Sequence, residues 1–121
     1  MKIALIGYGK MGKEIEKIAL SRGHHVVLKA TASSKATPES LQQSRAEVAI
    51  EFSRPDAVLN NMSICFNAGI PVVVGTTGWY DQLAVMREIC KQKNGTFFYA
   101  SNFSIGVNIL FEINRKLELE A

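Results

Sequence analysis

The chain opens Lys2-Ile3-Ala4-Leu5-Ile6-Gly7-Tyr8-Gly9-Lys10-Met11-Gly12. A short apolar run that stops at glycine reads as a buried strand. From Lys10 the pattern changes: Met11, Ile15 and Ile18 recur at helical spacing, and Gly23 follows as a helix end. A G-x-G-x-x-G pattern therefore lies between a strand and a helix, the context that gives this motif its mechanism. Gly7 permits the tight turn, Gly9 lets a pyrophosphate approach bare backbone, and Gly12 lets the helix pack closely. The helix start adds free N–H groups and the positive end of its dipole. No Gly-Lys-Ser/Thr ending follows, so a nucleoside-triphosphate loop does not fit. The motif predicts a dinucleotide site; a glycine-rich turn without a ligand is the plainer alternative.

The same alternation continues along the chain. His25–Ala30 reads as a second strand, and residues 31–37 as a small, polar loop. Pro38–Ser44 reads as a short helix capped by Thr37, with Pro38 in its first turn. Strands are expected at residues 47–52, 71–74 and 96–100. Between them, a helix starting at Pro55 carries Val58, Met62, Cys65 and Phe66 and ends near Gly69. A second, residues 80–93, carries Leu83, Met86, Ile89 and Cys90, and Asn94-Gly95 marks a turn. From Ile105 the pattern is helical again. Apolar strands alternating with amphipathic helices predict an α/β fold: a Rossmann-like open parallel sheet of at least five strands with helices on both faces. Right-handed crossovers place the strand C-termini along one edge, where ligands bind in such sheets.

Composition narrows the function classes. The chain has 121 residues, close to the common domain size, with 47% hydrophobic and 21% charged residues. A net charge of +3 with no clustered basic face argues against nucleic acid. No apolar run reaches the ~18 residues that span a bilayer, and the N-terminus lacks a signal-peptide pattern, so a cytoplasmic protein without a membrane partner is expected. Cys65 and Cys90 both fall in expected helices, where buried free thiols are the usual outcome. No His, Cys, Asp and Glu spacing points to a metal, and no Gly-x-Ser-x-Gly elbow occurs. His24 and His25 read as surface turn residues at the far end of the sheet. Glu51 is the acidic residue near the ligand edge and has no obvious acidic partner, so no catalytic residue is assigned to this chain.

Four loops leave the ligand edge besides the glycine loop. An NAD-preferring site ends its second strand with an acidic residue about twenty positions on. Here the segment reads Lys29-Ala30-Thr31-Ala32-Ser33-Ser34-Lys35. Without a carboxylate to repel a 2′-phosphate, NADP is permitted, with Ser33, Ser34 and Lys35 as candidate phosphate contacts. Glu51-Phe52-Ser53-Arg54-Pro55 follows the third strand, with Phe52 placed for the adenine or ribose side and Arg54 for a phosphate or the ring. A core Phe52 and a helix-capping Ser53 read equally well. Gly75-Thr76-Thr77-Gly78-Trp79 offers backbone and hydroxyls to a nicotinamide amide or a substrate carboxylate, with Trp79 as a packing anchor. Residues 101–108, Ser-Asn-Phe-Ser-Ile-Gly-Val-Asn, form a loop able to close around the nicotinamide or, more plainly, a helix cap at Ser104.

In order and spacing, Ile6-Gly7-Tyr8-Gly9-Lys10-Met11-Gly12, Glu51-Phe52-Ser53-Arg54-Pro55, Gly75-Thr76-Thr77-Gly78-Trp79 and the stretch Ala100-Ser101-Asn102-Phe103-Ser104-Ile105-Gly106-Val107-Asn108 together resemble the N-terminal domain of the 4-hydroxy-tetrahydrodipicolinate (dihydrodipicolinate) reductase family of lysine and diaminopimelate biosynthesis. The resemblance covers nearly the whole chain. It implies reduction of a cyclic dipicolinate precursor with NADH or NADPH. It further implies that Gly7, Lys10, Met11 and Gly12 line the pyrophosphate and that Phe52 and Arg54 flank the cofactor. Gly75, Thr77, Ala100, Ser101, Asn102 and Phe103 would hold the nicotinamide end, with Thr77 also touching substrate.

The chain departs from that pattern after its second strand, where the acidic residue is missing. It also shows no match to the family's second domain, which carries paired histidines, a lysine and a Ser-Gly-Thr loop. The expectation is a 1–121 cofactor-binding domain, inactive by itself, of a reductase that assembles as a homotetramer largely through the other domain. A non-enzymatic nucleotide-sensing domain shares the glycine loop but needs no substrate-facing loops at 75–79 and 102–106. The cofactor domain of another NAD(P)-dependent dehydrogenase is a third reading.

Overall fold

The structure, a computed structural model, describes residues 1–101 and Asn108. Its elements follow in the order β1 (Lys2–Ile6), α1 (Lys10–Ser21), β2 (His25–Ala30), α2 (Pro38–Ser44), β3 (Val48–Glu51), α3 (Val58–Ala68), β4 (Val72–Val74), a 3₁₀ turn (Tyr80–Gln82), α4 (Leu83–Gln92) and β5 (Phe97–Tyr99). All strand pairs are parallel, in the order β2-β1-β3-β4-β5. The expected Rossmann-like sheet is therefore present. Strand order reverses between β1 and β3, the switch point at which such sheets open a crevice.

Alternation along each strand builds two cores. Ile3 and Leu5 of β1, Val48 and Ile50 of β3 and Val73 of β4 pack with Ile15 and Ala19 of α1. Their neighbours Ala4, Ile6, Ala49, Val72 and Val74 pack on the other face with Leu41 of α2, Met62 and Cys65 of α3, and Met86 of α4. Among the described residues one helix covers one face and three cover the other, as right-handed crossovers on either side of the switch point require. Cys65 and Cys90 are buried free thiols, and burial pushes the Cys65 thiol up to about 12.

Several boundaries differ for identifiable reasons. The sheet ladder reaches one residue past the strand bounds: Phe52 N–H donates to Ile6 O at 2.9 Å, Val72 N–H to Thr96 O at 3.1 Å and Ala100 N–H to Val74 O at 3.1 Å. Pro55 does not start α3. It sits in a turn in which Arg54 O accepts the N–H groups of Ala57 (2.9 Å) and Val58 (3.1 Å). Its ring packs on the neighbouring loop, since a Cβ on Gly78 would lie 3.0 Å from Pro55 Cγ. The helix expected at 80–93 opens as a 3₁₀ turn and becomes α-helical at Leu83. The Thr37 cap of α2 forms fully: Thr37 Oγ1 accepts Ser40 N–H at 3.0 Å and Ser40 Oγ accepts Thr37 N–H at 2.9 Å.

His24 corrects the reading of both histidines as surface residues. His25 is exposed, but His24 is buried, 8% exposed, with Nδ1 3.0 Å from the N-terminal amine of Met1. Arg22 caps α1, and Gly23, at φ +80°, turns the chain so that His24 N–H bonds Ala19 O at 3.0 Å and the ring reaches the Met1 amine. The helix expected from Ile105 lies outside the described residues.

Candidate functional site

A cavity of about 700 Å³ opens at the carboxyl ends of β1, β2 and β3, directly over the switch point. That size suits a small-molecule ligand. Gly7, Tyr8 and Gly9 form one wall, Thr31, Ala32 and Lys35 a second, and Phe52, Ser53 and Arg54 a third. Asp56, Asn60 and Asn61 close it from the start of α3.

Each glycine of the loop has a different structural reason. Gly7 adopts φ +102°, and a Cβ there would lie 2.1 Å from Phe52 O, so the loop after β3 leaves no room for a side chain. A Cβ on Gly12 would lie 2.6 Å from Gly7 O, which is the close helix-to-loop packing read from the sequence. Gly9 is different: among the described residues nothing lies within 4 Å of its added Cβ. Its bareness leaves space over the start of α1. That helix end has no side-chain cap, and Gly9 O accepts only its first helical bond, from Lys13 N–H at 3.1 Å. An uncapped N-terminus beside an open glycine suits an anionic group.

The loop is fixed from both sides. Gly7 N–H donates to Ala30 O at 3.0 Å. The Tyr8 hydroxyl donates to Glu16 of α1 at 2.5 Å, and Glu16 pairs with Lys29 of β2 at 2.6 Å. Lys29 Nζ lies 5.0 Å from the centre of the Tyr8 ring. The hydrogen bond from Lys29 and then that from Tyr8 hold the Glu16 carboxyl below its usual range. The bond to Glu16 raises both the Lys29 ammonium and the Tyr8 phenol. Lys29 is thus committed to Glu16, and Lys35 is the lysine that lines the cavity.

After β2 the chain curls into a turn. Thr31 N–H donates to Ser34 O at 2.9 Å, Ser34 N–H reaches Thr31 Oγ1 at 3.0 Å, and Ser33 Oγ lies 3.2 Å from Thr31 Oγ1. Ser33 and Ser34 are exposed and do not line the cavity, whereas Lys35 does. Arg54 also lines it and is clamped by Asp56, with Nη2 to Oδ2 at 3.0 Å and Nε to Oδ1 at 3.3 Å.

Phe52 is both a packing residue and a cavity wall. Its ring lies over Gly75, where a Cβ would sit 2.5 Å from Phe52 Cδ2. Ser53 does not cap α3. Its hydroxyl donates to buried Glu51, and its N–H donates to Thr76 Oγ1 at 2.8 Å. Thr77 is exposed at the tip of the next loop, while Trp79 is buried among Tyr80, Phe97 and Tyr99 as an anchor. Lys10, Met11, Gly12, Gly75, Thr77, Ala100 and Ser101 do not line the cavity, though all stand on its strand edge or helix start. Asn102 and Phe103 lie outside the described residues.

Sequence reading passed over Thr31, Asp56, Asn60 and Asn61 as cavity residues. A usable signal existed for the asparagines: Asn60-Asn61 interrupts the apolar run Ala57-Val58-Leu59 and Met62 at the helix start nearest the ligand edge. Among the described residues, no three His, Cys, Asp or Glu side chains are grouped to hold a metal ion, and no helix is long and apolar enough to cross a membrane.

A doubly wound parallel sheet with a glycine loop at its switch point defines a Rossmann-like domain. Residues 1–103 match the family described as dihydrodipicolinate reductase, N-terminus, and the chain belongs to that family. It is 50% identical over 117 residues to the 4-hydroxy-tetrahydrodipicolinate reductase of Christiangramia forsetii, covering 97% of this chain and 48% of that protein. The protein of the same name from Staphylococcus epidermidis is 38% identical over 119 residues, covering 93% of this chain and 48% of that one. The chain thus spans about half the length of these relatives. Among solved structures, the dipicolinate-bound dihydrodipicolinate reductase of Paenisporosarcina sp. TG-14 superposes with a TM-score of 0.71 at 21% identity, over 87% of this chain and 48% of that one. A hyperthermophilic archaeal homoserine dehydrogenase in complex with NADPH gives 0.64 at 13% identity, over 83% of this chain and 43% of that one, a likeness of fold alone.

Proposed function

We propose that this chain is the cofactor-binding part of a 4-hydroxy-tetrahydrodipicolinate reductase and binds NADH or NADPH in the switch-point cavity. The observation that carries the reading is the 50% identity, over nearly the whole chain, to a protein of that name. The bare Gly9 at an uncapped helix start supplies a cradle that fits a pyrophosphate. When bound, the nicotinamide supplies a hydride for the cyclic dipicolinate precursor.

The chain's own residues bind and orient. Gly9, Lys10, Met11 and Gly12 present backbone N–H groups and the α1 dipole to the pyrophosphate, and Gly7, its own N–H held by Ala30 O, shapes the turn that lines it. Lys35, with Ser33 and Ser34 on the rim, meets the 2′-phosphate of NADPH. Phe52 offers a flat apolar wall, and Arg54 exchanges its exposed Asp56 partner for cofactor phosphate, a low-cost exchange because such exposed pairs are weak. Gly75, Thr77 and residues 100–103 receive the nicotinamide end, with Thr77 nearest the dicarboxylate substrate. Proton donation belongs to groups outside this domain: His24 is buried against the N-terminus at the opposite end of the sheet. The reading includes a cytoplasmic, homotetrameric reductase as the whole protein.

Calorimetric titration of the chain with NADH and with NADPH tests it. Saturable one-to-one binding of at least one is expected. Absence of binding by either refutes the cofactor assignment.

A further inference from the structure

Thr76 is an unusually constrained hydroxyl residue. It is 4% exposed, between half-buried Gly75 and exposed Thr77. Its Oγ1 donates to Glu51 Oε1 at 2.5 Å and accepts Ser53 N–H at 2.8 Å, while its carbonyl accepts the buried Trp79 indole N–H at 2.6 Å. Glu51 is fully buried at the end of β3. It also accepts Ser53 Oγ and Asn61 Nδ2, the latter at 2.9 Å. No buried side-chain polar atom among the described residues lacks a partner.

A buried carboxylate is a poor device for stability. Taking it out of water is costly, and well-packed apolar groups serve a core as well or better. The placement of this one is specific. Its partners belong to the loop after β3, the loop after β4 and the start of α3, three segments of the ligand edge. One hydroxyl bridges the first two.

We propose that Glu51 and Thr76 are positioning residues. Together they lock the 52–54 loop against the 75–77 loop and so present Thr77 at a fixed height beside the cavity. Thr76 is held by its hydroxyl and its carbonyl, which leaves Thr77 as the outward group of the pair. The role rests on the proposed cofactor reading, because the loop so fixed is the one assigned to the nicotinamide end.

The test compares NADPH with 2′-phospho-ADP-ribose, which lacks the nicotinamide, on the full 121-residue chain. Thr76→Val keeps the shape and removes the hydroxyl; Glu51→Gln keeps the shape and removes the charge. Each is expected to reduce the preference for NADPH over 2′-phospho-ADP-ribose on the order of tenfold, the loss of one well-made hydrogen bond. Affinity for 2′-phospho-ADP-ribose, whose phosphates the 52–54 loop also meets through Arg54, should fall less than that for NADPH, and Thr76→Ser should restore the preference. Phe66→Leu, a core change at the far end of α3, should leave the preference intact even where it lowers stability. A folded Thr76→Val or Glu51→Gln protein with undiminished preference overturns the proposal, as does equal loss of both ligands. Wild-type protein that binds neither ligand instead overturns the cofactor reading beneath it.

Discussion

Gly9→Ala separates what the glycine loop does for folding from what it does for binding. Gly9 has φ −94° and ψ −151°, an extended conformation open to alanine. The new methyl would meet nothing within 4 Å. Alanine is a poorer N-cap than glycine, a cost of about 0.5–1 kcal/mol. Against this, removing glycine's freedom from the unfolded chain stabilises by about 0.4–1 kcal/mol. The two nearly cancel, so the melting temperature should move by less than about 3 °C. Binding should respond differently. A phosphate oxygen must come within ~2.9 Å of a backbone N–H, and the methyl occupies that approach. Losing one charge-assisted bond of about 1.5–3 kcal/mol weakens affinity tenfold or more. NADH and NADPH should lose alike, since both carry the pyrophosphate. Gly12→Ala is the counterpart. Its methyl would lie 2.6 Å from Gly7 O, so backbone must shift and stability should fall by about 1–3 kcal/mol. Calorimetry gives the affinities and Trp79 fluorescence the unfolding curves. The reasoning fails if Gly9→Ala binds both nucleotides like wild type, or if it destabilises as much as Gly12→Ala.

Lys35→Ala should weaken NADPH about fivefold and NADH hardly at all if the cation lining the cavity meets the 2′-phosphate as proposed; an unchanged NADPH-to-NADH affinity ratio rejects the assignment. The Glu16 carboxyl is held low by Lys29 and Tyr8, so its contribution is present above the ordinary carboxylate range and is lost as pH falls through the lower folded value. Lys29 is held high, so its share persists below its unfolded value and fades as pH rises through the folded one; urea unfolding of Glu16→Gln across pH should show both losses removed. Cys65, with its thiol pushed up to about 12, should resist a thiol reagent at pH 8 in the folded chain and react at once in urea; rapid labelling of the native protein would contradict its burial.

The fold was legible because its signals are local. Lys2–Ile6 and His25–Ala30 are apolar runs bounded by glycine or polar turns, and they appear with the expected bounds. The Thr37 cap needs only a hydroxyl, a proline and a serine in sequence. What misled was set by distant contacts. Pro55 has the right chemistry to start a helix, but its ring is held by the loop at Gly78, some twenty residues on. His24 carries no local sign of burial. Its partner is the N-terminal amine, and only the β1–β2 pairing brings them together.

The site shows the same division more sharply. Gly7, Gly9 and Gly12 are indistinguishable as letters, yet one avoids a carbonyl across the sheet, one allows helix packing and one faces open space. The motif carries the turn at Gly7 and the close packing at Gly12 because it encodes a three-dimensional arrangement in six residues. No such compression exists for Glu51. Its partners Ser53, Asn61 and Thr76 span two loops and a helix, and nothing in the string Glu51-Phe52-Ser53 announces that the carboxylate turns inward. Alternation alone places Glu51 on the same side of β3 as buried Ala49, facing α3, where an unpaired charge would be prohibitive. That parity requires donors from the adjoining segments, and Ser53 and Thr76 of the two loops and Asn61 of α3 are polar residues within reach. The inward carboxylate was therefore derivable once strand parity was taken as binding on a charged residue as firmly as on an apolar one.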